Sequence, residues 1–394
     1  MTRKPAEADV VIVGGGIMGT ASALFLARRG RSVILLERGM IGRQASGTNF
    51  GAVRRQGRPF SQMPLANRSR ELWWQLPELI SDDCEFVRRG HLRIALDQTA
   101  ADKLVTYATE ARHVGLDAEI LSGNALRSRF PWLSQKVVAG SFSPLDGHAN
   151  PRLTGPAFGR AAARAGARIV ENATVVHAGR TGPDFEVETA EGHRVRAPVL
   201  LLTAGAWSAA FAGLFADPAP LEVRGPQLSV TEPLPYFIGP NTSAAATNPD
   251  ESVYFRQVER GNLIIGGPRH GPASIRTGLA NVLPENLLLQ LAQARSVVPV
   301  LARARIIRSW SGVEGYTPDA QPVIGASPRV AGLYYAFGFS GAGFQLGPAV
   351  GEVMAALIDG GASPISLEAF APGRFPEGLS AEGAALRSIR AKGG

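Results

Sequence analysis

Gly14, Gly16 and Gly19, in the stretch VIVGGGIMGT, are spaced as G-x-G-x-x-G, and an acid, Glu37, follows 18 residues after the last of them. This spacing suits a dinucleotide. The first glycine permits a sharp turn, the second lets a diphosphate approach the backbone, and the third lets a helix pack on a strand. The helix N-terminus then faces the phosphates, while the acid accepts hydrogen bonds from an adenosine ribose. A glutamate disfavours a 2′-phosphate, which argues against NADP. NAD and FAD share the adenosine diphosphate half, and the motif alone leaves both open.

The flanking residues predict the elements that these glycines need. An apolar strand over Val10–Val13 precedes the glycines, an apolar helix over residues 17–29 stops at Gly30, and a second strand over Val33–Leu36 ends at Glu37. A nicotinamide enzyme would normally continue into another helix and strand of the same sheet. Instead, residues 38–58 form the aperiodic segment RGMIGRQASGTNFGAVRRQGR, which can run along an extended cofactor, with Ser46, Gly47 and Asn49 as small polar contacts. The plainer alternative is a surface loop with Arg54, Arg55 and Arg58 solvated. Downstream, VLLLTAGAWS predicts a buried strand entering a small-residue turn. Residues 334–360 repeat that pattern, leading through Gly338, Ser340, Gly341 and Gly343 into a helix whose first N–H groups suit an anionic or carbonyl-bearing ring.

Taken together, VVIVGGGIMG, LLERG, ASGTN, LLTAGAWS, GYTPDAQPVIG and GFSGAGFQLGP span nearly the whole chain. In this order they resemble the flavin-dependent amino-acid and amine oxidoreductases of the D-amino-acid oxidase superfamily. The likeness is strongest to the branch containing glycine oxidase, D-hydroxyproline dehydrogenase, the flavin subunits of opine oxidases and the hydrogen cyanide synthase subunit. The resemblance implies an α/β plus α+β fold, with a Rossmann-like FAD-binding domain built from discontinuous segments and an inserted antiparallel-sheet substrate domain. The expected boundaries are 1–84, 150–220 and 310–376 for the first, 85–149 and 221–309 for the second, and 377–394 for a mobile tail.

The same resemblance implies the cofactor contacts. Gly14, Gly16, Ile17, Met18, Gly19, Glu37 and Arg38 would surround the adenosine diphosphate. Arg43, Gln44, Ala45, Ser46, Asn49 and Gly51 would follow the pyrophosphate and the ring edge, and Val175 would approach the adenine. Thr203, Ala204, Gly205, Trp207 and Gly312 complete the set, and Gly338, Ser340, Gly341, Ala342, Gly343, Phe344 and Gln345 would lie at the pyrimidine side of the flavin. The C-terminal half has no cysteine and no histidine precedes His91, so the usual covalent attachments are absent and FAD is expected to be non-covalent.

The implied reaction is hydride transfer from a carbon bearing an amine to flavin N5, giving an imine that hydrolyses. A desolvated amine needs no strong base, only alignment. The substrate end departs from the family pattern. Where glycine oxidase grips a carboxylate with arginine, this chain has Glu314 and a glycine near 341, and Ala342 stands where a histidine is frequent. Either Arg256 or Arg54 takes a carboxylate, or Glu314 pairs with a cationic amine; Tyr254 and Tyr316 are pocket or packing residues. No lysine occurs between 137 and 391, so the lysine that promotes oxygen reaction in sarcosine oxidase has no counterpart, which favours a dehydrogenase with another acceptor over an oxidase. The other readings are a flavin subunit of a heteromeric dehydrogenase and a non-catalytic flavin- or nucleotide-binding protein.

The bulk numbers bound these readings. At 394 residues the chain exceeds one ordinary core, and two structural units with a possible oligomer are expected. A net charge of +8 invites a nucleic-acid hypothesis, but the basic residues are mostly scattered arginines, so no nucleic-acid partner is expected. The uncharged run 197–216 is long enough to raise a membrane span, yet its TAGAWS interior reads as strand, turn and helix. The single cysteine, Cys84, excludes an intramolecular disulfide, and the six histidines show no metal-ligand spacing, so no metal is expected. With a start lacking signal-peptide character, the expected compartment is cytoplasmic.

Overall fold

The runs Val10–Val13, Val33–Leu36 and Val199–Leu202 are apolar at every position, as strands covered on both faces must be. In the computed structural model, which describes residues 5–217 and 219–376, they form the centre of a six-stranded sheet. Its order is Val323–Ala326, Leu333–Phe337, Val199–Leu202, Val10–Val13, Val33–Leu36 and Arg168–Val170. All neighbours pair in parallel except the edge strand Val323–Ala326. The expected tail at 377–394 lies outside the described residues.

Side chains alternate across each strand. Val10, Ile12, Val33 and Leu35 therefore join the core under the helices Ile17–Arg28, Pro151–Arg164 and Gly343–Ile358. Val11, Val13, Ile34 and Leu36 join a second core, against a four-stranded sheet that includes Asp184–Thr189 and Arg194–Ala197. Each fully buried aliphatic side chain contributes ~1.5–3 kcal/mol, so both layers hold the central strands in place.

Helices Ile17–Arg28 and Gly343–Ile358 pack side by side through glycines one turn apart. A Cβ on Gly347 would stand 2.7 Å from the Ile17 side chain, and one on Gly351 would stand 2.5 Å from the Ala21 Cβ. This contact sets both helix N-termini at the same end of the sheet.

A nine-stranded sheet forms the other unit, and seven of its strands run Ile306–Ser311, Glu222–Pro233, Asn262–Gly271, Val253–Gln257, Asn241–Ala245, His91–Ala95 and Ala139–Ser143. It departs from the antiparallel expectation at one joint: Asn241–Ala245 runs parallel to His91–Ala95. Those strands come from separate excursions of the chain, so no hairpin forces them antiparallel. One face carries Leu92, Ile94, Phe142, Phe255, Leu263 and Ile265 into a core with Ala294 and Val297 of the helix Pro284–Val297. The alternate positions, among them His91, Arg93, Ser243 and Tyr254, turn the other way and make a polar face.

The uncharged run 197–216 divides into the strand Val199–Leu202, a turn, and the helix Ser208–Leu214. No described helix is long and apolar enough to cross a membrane. Segment 38–58 is less irregular than expected, since it contains the short helix Ala45–Thr48 and the strand Ala52–Val53.

Replacing Gly351 by valine should lower the midpoint of urea unfolding, because overpacking a tight helix contact costs about 1–3 kcal/mol. An unchanged midpoint would show that the two helices can separate at no cost.

Candidate active site

The cleft begins where the strand Val10–Val13 ends. Gly14 takes φ +110°, a value that side chains rarely adopt, and a Cβ there would lie 2.6 Å from the Thr203 carbonyl oxygen. Gly19 packs so closely that a Cβ would overlap the Gly14 carbonyl. The helix Ile17–Arg28 is thereby drawn onto the strand ends, and its N-cap residue, Gly16, offers no side-chain acceptor. The helix Gly343–Ile358 likewise has no capping side chain at Ala342. Two helix N-termini whose N-cap residues supply no capping side chain open on one cleft, a favourable place for phosphate and for electron-rich carbonyls.

Glu37 sits at the edge. Its Oε2 accepts from the Gly15 N–H at 2.7 Å and its Oε1 from the Gly39 N–H at 2.9 Å, which leaves one lone pair on each oxygen for hydroxyl donors. Ser46 accepts from the Ile17 N–H at 2.9 Å and so docks the helix Ala45–Thr48 onto the nucleotide helix. Asn49 braces that short helix, donating to the Ala45 and Ser46 carbonyls and accepting from the Gly51 N–H. Across the cleft, the Arg38 guanidinium stacks 3.7 Å from the Trp207 ring, and the Trp207 Nε1–H donates to the Ile275 carbonyl. The hairpin of Ala273–Ser274 and Leu279–Ala280, which extends from the second unit, thus roofs this end.

The cleft encloses about 1370 Å³, counting its open mouth. Gly14, Gly16, Ile17, Met18, Glu37, Arg38, Arg43, Gln44, Ala45, Ser46, Asn49, Val175, Thr203, Ala204, Gly205 and Trp207 line it, as do Gly338, Ser340, Gly341, Gly343 and Phe344. Gly19, Gly51, Gly312, Ala342 and Gln345 do not. Gly19 and Gly312 serve close packing, the latter against Thr48, and Gln345 is buried with its Nε2 on the Ala66 carbonyl. Sequence reasoning missed Thr174 and Phe211, which carry no motif of their own, and Gly315 and Phe339, which lie within quoted motifs but were not singled out; all four also line the cleft.

At the turn that precedes the helix Gly343–Ile358, Ser340 takes φ +50°, a strained value for serine, held by the Thr317 N–H donating to its Oγ at 3.1 Å. Glu314 lies directly beside this turn. A Cβ on Gly341 would sit 3.8 Å from the Glu314 Oε2, and the Tyr316 hydroxyl donates to that oxygen at 3.0 Å. Tyr254 completes the group; its ring stands over Gly266, where any side chain would collide with it, and edge-on to Phe50 at 4.8 Å. Burial raises the Glu314 carboxyl above its usual range, with the Tyr316 hydroxyl pulling it partly back. Burial and the charge of Glu314 push both tyrosine hydroxyls upward.

The arginine candidates separate. Arg256, a candidate for the carboxylate, is 3% exposed, with Nε donating to the Phe50 carbonyl at 2.6 Å and Nη1 on His148 Nδ1 at 3.3 Å. It braces the loop behind the cleft and is not among the lining residues. Arg55 and Arg58 are buried too, not solvated, and Arg54 lies with them above the polar sheet face.

Residues 9–357 match the family described as FAD dependent oxidoreductase. The chain belongs to that family. FAD is accordingly its cofactor, and the two uncapped helix ends, the bare glycine turn and the half-satisfied Glu37 fit its phosphates, ring and ribose. No cysteine or histidine lines the cleft. Glycine oxidase of Geobacillus kaustophilus is 30% identical to this oxidoreductase over 364 residues, covering 89% of this chain and 93% of the relative. Sarcosine oxidase subunit beta of Rhizobium meliloti is 30% identical over 384 residues, covering 94% of this chain and 89% of the relative. L-Proline dehydrogenase of P. horikoshii superposes with a TM-score of 0.87 at 26% identity, over 94% of this chain and 98% of that one.

Glu37→Gln should weaken FAD binding roughly ten- to hundredfold, the effect of ~1.5–3 kcal/mol of charge-assisted hydrogen bonding. Fluorescence quenching of FAD titrated with apoprotein measures this; a change under about twofold would leave Glu37 as a brace for its own loop.

Proposed function

We propose that this protein oxidises a carbon–nitrogen bond of an amino acid or secondary amine, with Glu314 receiving the amine. The observation that carries the reading is the Glu314 carboxylate that lines the cleft beside the Ser340–Gly341 turn, which on this reading meets the flavin ring. When bound, FAD would supply the two-electron acceptor, taking one hydride from the substrate carbon. The nitrogen lone pair closes the C=N bond, a proton leaves the nitrogen, and water hydrolyses the imine to a carbonyl compound and an amine.

The chain's own residues bind and orient. Gly14, Gly16 and Glu37 hold the adenosine diphosphate, and the N-terminus of Gly343–Ile358 faces the ring. Glu314 attracts an ammonium, and the Tyr316 and Tyr254 hydroxyls keep water from competing at its carboxylate. Only the neutral amine has the lone pair that the reaction uses, so the bound ammonium must lose a proton before the C–H bond is broken. Positioning the C–H bond against the ring is then the main contribution, as expected for chemistry carried by a cofactor. The electrons pass on to oxygen or another acceptor.

Anaerobic mixing with glycine, sarcosine, D-proline, hydroxyproline, opines and N-alkylglycines tests the reading: one of them should bleach the flavin band, and failure of all would defeat it. Repetition in air distinguishes oxidase from dehydrogenase.

Glu314 pairs with an ammonium only when ionised. Its raised pKa means that this form fills in above the usual carboxylate range, so amine affinity should rise with pH through that value. Glu314→Gln should abolish this limb and weaken amine binding roughly tenfold or more while FAD stays bound. An unchanged pH profile in the variant would reduce Glu314 to a structural turn residue.

A further inference from the structure

The hairpin of Ala273–Ser274 and Leu279–Ala280 is held very differently at its two ends. Its base is fixed. Gly271 pairs with Gly225 of the strand Glu222–Pro233, and a Cβ on Gly225 would lie 2.9 Å from the Gly271 carbonyl oxygen and 3.0 Å from the Ala280 Cβ. Just beyond the hairpin, the buried Gln227 side chain clamps the chain, donating to the Leu283 carbonyl at 3.1 Å and accepting from the Leu283 N–H at 3.0 Å. Opening a buried amide that is satisfied at both ends is costly.

The tip is held lightly. The N–H groups of Thr277 and Gly278 bond back to Ser274, inside the hairpin. Among the described residues, the one hydrogen bond that ties residues 275–278 to the first unit runs from Trp207 Nε1–H to the Ile275 carbonyl, at 2.7 Å. Gly278, at φ +69°, rests against two more residues of that unit: a Cβ there would stand 3.1 Å from Arg38 Nη2 and 3.7 Å from Gln44 Nε2. Ile275 is 38% and Leu279 68% exposed, so little apolar burial keeps the tip down.

Arg38, Gln44 and Trp207 all line the cofactor cleft, whereas the hairpin above them does not. Beneath them, strand ends and a helix N-terminus are locked by the close fit at Gly14 and Gly19. A stiff base, a tip on one neutral hydrogen bond and a locked floor make a hinged cover. We infer that this hairpin is a strap, which lifts from Trp207 to admit FAD and closes behind it. The cleft offers no cysteine or histidine for a covalent link, so retention falls to the opening rate of this segment. The inference rests on FAD as the cofactor and is independent of the substrate.

A strap and an ordinary contact differ in their kinetics. Loosening a cover speeds entry and exit together, whereas removing a contact to the bound ligand speeds exit alone. The test follows flavin fluorescence during FAD uptake by the apoprotein and FAD release from diluted holoprotein, in the wild type, Trp207→Phe and Gly278→Val. Trp207→Phe keeps a ring for Arg38 and loses the bond to Ile275; Gly278→Val drives a branched side chain against Arg38 from a residue outside the cleft lining. Both variants should raise uptake and release by roughly three- to tenfold, the weight of one net hydrogen bond, and in Gly278→Val the two factors should agree within about twofold. Trypsin cleavage after the exposed Arg276, which needs the tip free, should quicken in step in the apoproteins. Faster release with constant uptake overturns the strap and makes Trp207 a plain FAD contact. Unchanged rates in Gly278→Val, or faster exchange without faster cleavage at Arg276, overturn it equally. No amine enters these measurements, so the strap and the oxidation reading fail separately.

Discussion

The site depends on how closely two distant chain segments approach at Gly14. The Thr203 hydroxyl donates to the Val13 and Gly14 carbonyls, the Gly14 backbone lies against Thr203, and Gly19 closes on Gly14 from the helix side. No side chain fits at either glycine. Because the gap is this small, the first helix starts directly over the strand ends, and its partner Gly343–Ile358 is carried to the same end through Gly347 and Gly351. Two aligned helix dipoles on one cleft are thus a product of steric fit.

The nucleotide half was legible because its chemistry is local. Four glycine and acid positions within about two dozen residues carry turn, approach, packing and ribose recognition, and each has one physical reason for its type. The substrate half was less legible, since its residues meet only through register. Arg256 reads as a strand arginine in isolation; its burial comes from Phe50 and His148, more than a hundred residues away in sequence. Arg93 carries no motif and is marked only by the pairing of His91–Ala95 with two other strands. Glu314 was visible as an anomaly in a family position, but its tyrosine neighbours depend on the room that Gly266 leaves.

Glu314 is the carboxylate that lines the cleft on the side of the Ser340–Gly341 turn. Its burial is expensive in the absence of ligand, since the carboxyl is pushed toward neutrality. A ligand of complementary charge recovers part of that cost on binding, while a neutral one must enter against it.

The alternation along His91–Ala95 has an evolutionary corollary. Leu92 and Ile94 answer to the core beneath, and His91 and Arg93 answer to whatever lies above. An exchange at Leu92 or Ile94 disturbs the core, whereas one at the half-exposed Arg93 does not, so neighbouring positions of a single strand bear change unequally.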